Sequence, residues 1–327
     1  MQVMCGMNQP LANRIVFFGT PEFALPALEE LVKSRYSVAA VITRPDERVG
    51  RKQILTPPPV KSWVLKHGTR NIEMLQPYIL DERFKFQVSS FRPDLFIVAA
   101  YGKIIPKEIL DIPRYGALNI HPSLLPRWRG PSPIQYAILA GDCDAGVTIM
   151  QMDEMMDHGP IVAQRQFAIS KTTYPELHDA LSKLGAKLLI ETLPGWINGE
   201  ITPIPQDDLQ ATYSKILAKD DGRVVWSKQT DEIERMVRAF NPWPGAWTLW
   251  PSESKILRVR MEAADIMDEE PSEGAPGFVW TKKNNPILVK TGRGSIAIKK
   301  LGIEGKKILD ADQFLHGYPQ ITNSTFI

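Results

Sequence analysis

At 327 residues the chain exceeds what one typical hydrophobic core organises, so two domains are the first expectation. Apolar residues at 43% and charged residues at 23% describe a globular chain and exclude an extended disordered one. A formal net charge of +2 excludes a global polyanion-attracting field, and two distant cysteines exclude a disulfide framework or zinc site.

Residues 1–13 contain neither Lys nor Arg and no sustained apolar core, so they read as an N-terminal extension and not as a signal or transit peptide. No apolar run reaches the roughly 20 residues needed to span a bilayer, which leaves a reducing, cytoplasmic location and no membrane partner as the expectation. The first strand is Arg14-Ile-Val-Phe-Phe-Gly19, a short apolar run ending in Gly. Pro21 and Glu22 open a helix with Phe23, Leu28, Leu31 and Val32 as its apolar stripe. Val38–Thr43 is the next strand, followed by a basic, Pro-rich segment and a short helix over Val60–His67. Further strands are predicted at Leu95–Ala100, Ala117–His121, Val147–Met152 and Ile161–Ile169, and strands alternating with helices give an α/β sheet. Thr173 and Glu176 are spaced as a capping box for a long helix with Leu177, Leu181, Leu184 and Leu188 inside.

Periodicity fails from Trp196 to about Leu217, where Gly, Pro and Asp accumulate, so residues 200–218 read as a linker. Beyond it, Ile233, Met236, Val237 and Phe240 mark an amphipathic helix, stopped by Asn241-Pro-Trp-Pro-Gly245. Short alternating stretches at Lys255–Met261, Gly277–Thr281 and Ile287–Thr291 point to a small β-barrel. The expected architecture is a Rossmann-like α/β domain over 14–199 and an OB-like barrel over 219–327.

The chemistry centres on Ala117-Leu-Asn-Ile-His121-Pro. In a strand, Asn119 and His121 share one face while Leu118 and Ile120 share the other. Pro122 ends the strand, which puts the polar pair at the carboxyl end, where open α/β sheets bind ligands. An amide beside an imidazole suits a reaction in which a carbonyl oxygen gains charge. The competing reading is that both side chains only satisfy backbone groups at a sheet end. Pro122-Ser-Leu-Leu-Pro126 is a constrained loop followed by Arg127-Trp-Arg-Gly130, a suitable ligand wall. Asp157 lies in the turn-rich segment Met152–Pro160, and taken alone it is a turn-former. Beside His121 it would favour the charged ring and fix its orientation.

Asn119-Ile-His-Pro-Ser-Leu-Leu-Pro126, Arg129-Gly130 and Asp157-His-Gly-Pro160 together resemble the formyltetrahydrofolate-dependent formyltransferase family. The resemblance implies Asn119, His121 and Asp157 as the catalytic set, with Ser123, Leu124, Leu125 and Pro126 bordering the folate. It also implies 10-formyltetrahydrofolate as formyl donor, with no metal. One departure is Met156-Asp157-His158, where Leu-Asp-Thr is commoner in the family. Gly19-Thr-Pro-Glu-Phe-Ala24, Thr43-Arg-Pro-Asp46 through Pro57-Pro-Pro-Val-Lys61, Lys219–Lys228 and Asn241–Gly245 are similar to the branch that formylates methionyl-tRNA. That branch implies initiator methionyl-tRNA as acceptor and partner in translation initiation, and a monomer is the expectation for the chain.

Arg44, Arg48, Arg51 and Lys52 form a basic loop after the second strand, suited to phosphates or to a mispaired end of an acceptor stem. By charge alone the solvated loop is the favoured reading, and the family resemblance reverses it. In the last domain Lys282, Lys283, Lys290, Arg293, Lys299, Lys300, Lys306 and Lys307 offer a basic stripe, with Glu304 the one acid among them before Asp310. Lys299 and Lys300 are its candidate tRNA contacts. Two other activities share the Asn–His–Asp site: formylation of a small amine, and hydrolysis of the formyl-folate. A dinucleotide-binding reading fails because Gly19-Thr-Pro21 lacks the second and third glycines of G-x-G-x-x-G.

Overall fold

A computed structural model of the protein describes residues 13–50, 52–67, 71–252, 255–269, 271–282 and 285–327. Residues 1–12, Arg51 and Lys283, on which parts of the sequence reading rest, lie outside the described residues.

In chain order the first elements are β1 (Arg14–Gly19), α1 (Leu25–Lys33), β2 (Ser37–Ile42), β3 (Glu47–Val49), β4 (Ile54–Thr56), α2 (Pro59–His67) and β5 (Glu73–Leu75). There follow α3 (Glu82–Ser90), β6 (Leu95–Ala99), α4 (Lys107–Leu110), β7 (Ala117–His121), α5 (Pro133–Ala140), β8 (Asp144–Gln151), β9 (Ile161–Ala168) and α6 (Tyr174–Ile197). The predicted strands and helices of this half all appear, and a tight helical turn over Glu22–Ala24 leads into α1. Seven strands form one sheet in the order β5-β2-β1-β6-β7-β8-β9. Pairing is parallel from β5 through to β7, and β8 runs antiparallel to β7. Ile15 to Phe18 and Leu95 to Ala99 are buried throughout, as strands covered on both faces must be. From β1 the chain builds outward to β2 and β5, then returns to add β6 on the other side. That reversal places a topological switch point between β1 and β6, one strand from β7.

The two faces of β7 have different duties. Phe96 pairs with Ala117 and Val98 with Asn119. Phe96, Val98 and Ala117 belong to one apolar cluster with Phe84 and Val88 of α3 and Ile109 of α4. Asn119 and His121 therefore continue, at the strand's carboxyl end, a row that begins in the core. The opposite row, Leu118 and Ile120, is buried where α6 crosses. A Cβ on Gly185 of α6 would stand 2.6 Å from Ile120 Cγ2, so glycine sets how closely the helix seats beneath the site. The helix starts as its spacing predicts: the Thr173 backbone N–H and hydroxyl both donate to Glu176 Oε2, at 2.8 and 2.7 Å.

Two compact units divide the chain, one formed by Met1–Arg129, Gly146–Phe167 and Asp179–Thr212, the other by Gly130–Ala145, Ala168–His178 and Tyr213–Ile327. The second carries α7 (Thr230–Phe240), β10 (Ala246–Ser252), β11 (Lys255–Met267), β12 (Val279–Lys282), β13 (Asn285–Lys290), β14 (Ser295–Ile303), β15 (Leu309–Asp310) and α8 (Ala311–Gly317). Its strands form a curled antiparallel half-barrel in the order β10-β11-β14-β13-β12, with β15 on β14. Residues 323–327 bridge the two outer strands. Ile327 exchanges backbone hydrogen bonds with Leu249 of β10, while Asn323 and Ser324 bond Val279 of β12. Phe326 is buried between them and stacks on Trp226 at 5.7 Å.

Candidate active site

Strand β7 delivers Asn119 and His121 to the sheet end as its alternation requires, and the turn after β8 brings Asp157 to His121. His121 Nδ1 lies 3.5 Å from Asp157 Oδ1, with the imidazole nearly enclosed and the carboxylate 16% exposed. The other ring nitrogen, Nε2, is 3.1 Å from the Trp128 carbonyl oxygen. A carbonyl only accepts, so Nε2 carries hydrogen. With that hydrogen committed to Trp128, Nδ1 is the ring atom that faces the Asp157 carboxylate. Asn119 is half-buried, and its amide makes no hydrogen bond among the described residues. The site thus presents one uncommitted amide beside an imidazole held between two acceptors.

The loop Ser123–Pro126 is built to hold shape. Ser123 and Leu125 are buried, and the Ser123 hydroxyl donates to the Arg127 carbonyl at 2.6 Å. Thr148, fully buried on β8, staples the loop. Its hydroxyl donates to Ser123 O at 2.7 Å and accepts from Leu125 N and Gln164 Nε2 at 3.1 and 2.8 Å. Leu124 packs over Gly146, where a Cβ would collide with the leucine side chain. Leu124 and Pro126 keep partial exposure, so the loop's outward surface is apolar.

Asp157 has φ +50°, in the left-handed region. Its turn is tightly drawn. Gln151 N donates to Pro160 O at 2.9 Å, and a Cβ on Gly159 would collide with the Gln151 carbonyl oxygen. His158, the departure from the family pattern, pairs through Nδ1 with Asp153 at 2.7 Å and faces Asp208 through Nε2 at 3.6 Å. Asp208 in turn meets the buried Arg129 guanidinium at 2.8 Å, a hydrogen bond that holds its carboxyl below the ordinary carboxylate range. Gln206 accepts from Arg129 Nε and donates to the Asp157 and Gly159 carbonyls. By sequence, Gln206 and Asp208 fall in a linker. Their partners lie 47 to 79 residues away, and no local pattern marks such a contact.

The basic loop after β2 forms a two-stranded ribbon of β3 and β4. Arg48 and Lys52 are exposed on it, and Val49, Ile54 and Leu55 stand 56–60% exposed beside them. Arg44 is paired with Glu47 at 2.7 Å, at the ribbon's base. Asp46 is clasped there by Lys61 and Gln76, whose hydrogen bonds hold its carboxyl below the usual value. On the barrel Lys299 and Lys300 are adjacent in β14 where the register with β11 shifts, and Lys299 stands 3.5 Å from Asp265. Lys282 pairs with Glu269 and Lys306 donates to the Tyr318 hydroxyl, so partners outside the basic window engage part of the stripe. Lys300 and Lys307 remain exposed. Among the described residues no group of three His, Cys, Asp or Glu is arranged to hold a metal ion, and no helix is long and apolar enough to cross a membrane.

Residues 13–193 match the model of the formyl transferase family, and residues 216–319 match that of the formyl transferase C-terminal domain. A methionyl-tRNA formyltransferase of Geobacillus sp. is 43% identical over 308 residues, 93% of this chain and 94% of that one. One from Bacillus velezensis is 42% identical over 310 residues, covering 93% and 95%. Among solved structures, HypX from Aquifex aeolicus in complex with tetrahydrofolic acid superposes with a TM-score of 0.62 at 20% identity, over 92% of this chain and 46% of that one. The N-formyltransferase of Helicobacter canadensis with folinic acid and dTDP-3-aminofucose gives 0.63 at 18%, over 88% and 99%. These two show a shared fold.

Proposed function

This chain belongs to the formyl transferase family, and we propose that it moves the formyl group of 10-formyltetrahydrofolate to the α-amine of methionyl-initiator tRNA at Asn119, His121 and Asp157. The observation that carries the site assignment is the contact of Asp157 with His121 at the carboxyl end of β7, the strand that also carries Asn119 two residues earlier. That it is a formyl-transfer enzyme follows from relatives more than 40% identical over nearly the whole chain, all named for methionyl-tRNA.

In the proposed reaction the free α-amine attacks the formyl carbon on N10, and the carbonyl oxygen becomes an oxyanion. Asn119, whose amide is uncommitted, donates to that oxygen. His121, with both nitrogens engaged, supplies positive charge beside it, and Asp157 holds that charge in place. Collapse breaks the bond from carbon to N10. The amine gives up one proton, N10 gains one, and the Asp157–His121 pair is positioned to pass it. The Ser123–Pro126 loop, held by Thr148, forms the wall for the folate. The β3–β4 ribbon, with Arg48 and Lys52 beside exposed apolar residues and Arg51 between them in sequence, meets the acceptor stem. Arg44 sets the ribbon's base. Lys299 and Lys300 of β14 extend the electrostatic contact.

Incubation with 10-formyltetrahydrofolate alone, with a small amine, and with methionyl-initiator tRNA separates the three activities such a site supports. Formylation of the charged tRNA with negligible formate release in its absence is expected. Rapid hydrolysis without acceptor, or equal transfer to a small amine, would overturn the acceptor assignment.

A further inference from the structure

We propose that Gln206 is the positioning residue for Asp157, setting where its carboxylate stands relative to His121. This rests on the reading above, in which Asp157 serves the reacting groups.

Asp157 sits in a left-handed conformation at φ +50°, which Asp adopts in tight turns, so the direction of its side chain is set by how that turn is held. Gln206 Nε2 does the holding. It donates to the Asp157 carbonyl at 2.9 Å and to the Gly159 carbonyl at 2.7 Å, so one amide fixes two peptide planes of the turn. The orientation of the Gln206 amide is itself determined. Its Oε1 lies 3.0 Å from Arg129 Nε, a group that only donates, so the oxygen must face Arg129 and the NH2 must face the carbonyls. Arg129 is buried and anchored a second time on Asp208 at 2.8 Å. A rigid cation thus locks an amide, and the amide locks the backbone that carries the carboxylate. Because Asp157 and His121 are 3.5 Å apart, a small rotation of this backbone decides whether the pair stays in contact.

The chemistry of the clamp supplies its own test. Gln206→Glu is isosteric and still accepts from Arg129, but it turns an anionic oxygen on the two carbonyls. Gln206→Met removes every polar contact. We expect kcat for formylation to fall about ten- to hundred-fold in either variant, since ångström-scale misplacement of a reacting group costs that much. KM for both substrates should stay within about threefold of the parent. Introduced into the Asp157→Asn variant, the same changes should cost nothing further, because the residue they position is already disabled. A parent-like kcat in Gln206→Glu would overturn the proposal. So would a fold loss in the Asp157→Asn background equal to that in the parent background. Should Gln206→Met fail to fold, Gln206→Glu carries the comparison. Full turnover by Asp157→Asn alone would instead remove the catalytic reading, and the positioning role with it.

Discussion

Asn119 and His121 differ in what they have left to give. Both sit on the face of β7 that period-two alternation assigns them, yet only Asn119 keeps an uncommitted amide. Strand spacing alone establishes the shared face. That Nε2 of His121 is occupied by Trp128 O depends on how the following loop folds back, which no spacing encodes. Thr148 illustrates the same limit. Within Val147–Met152 it reads as an ordinary strand residue, but its hydroxyl joins three hydrogen bonds that hold the Ser123–Pro126 loop. Thr148→Val keeps the shape and leaves buried backbone and amide groups unpaired, at a cost of about 2–3 kcal/mol. Thermal unfolding should register that loss, and KM for the formyl donor should rise while KM for charged tRNA stays unchanged. A rise confined to the tRNA would place the loop elsewhere in the mechanism.

The β3–β4 ribbon is an element whose character the sequence shows only in part. Its basic residues are legible, but its strand pairing and its exposed Val49, Ile54 and Leu55 are not, because short strands carry little periodic signal. A two-stranded ribbon with apolar residues in water suits a partner that offers both phosphates and unpaired bases. Arg48→Ala is expected to raise the apparent Kd for methionyl-initiator tRNA several-fold and to leave formyl-folate binding unchanged, read by filter binding and by fluorescence titration. The ribbon's base makes a separate prediction. Hydrogen bonds from Lys61 and then Gln76 hold the Asp46 carboxyl below its ordinary 3.8. A depressed carboxylate stabilises the folded state fully above the unfolded value and loses that contribution as pH falls through the folded value. Lys61→Met should therefore be less stable than the parent at neutral pH, with the gap narrowing as pH drops below about 4. A gap independent of pH would assign Lys61 a packing role.

Across the whole chain, alternating strands and helices announce the α/β sheet, and the failure of periodicity after α6 announces a change of architecture. Two features stay hidden for one physical reason, since both depend on contacts distant in sequence. Gln206 fastens to the Asp157 turn from a segment with no regular structure, and residues 323–327 join β10 to β12. Alternating stretches predict the barrel, but the strand-like segment that bridges its edges has too few residues to show alternation. The proposed function divides labour between a small reacting set and larger binding surfaces, and one comparison tests that division directly. Single-turnover formylation of methionyl-initiator tRNA should fall by roughly two to three decades in Asn119→Ala, the usual loss on removing an oxyanion donor. The Kd for that tRNA, measured on the same preparation, should be unchanged. Near-normal turnover in Asn119→Ala would contradict this division, as would a loss that appears only in tRNA binding.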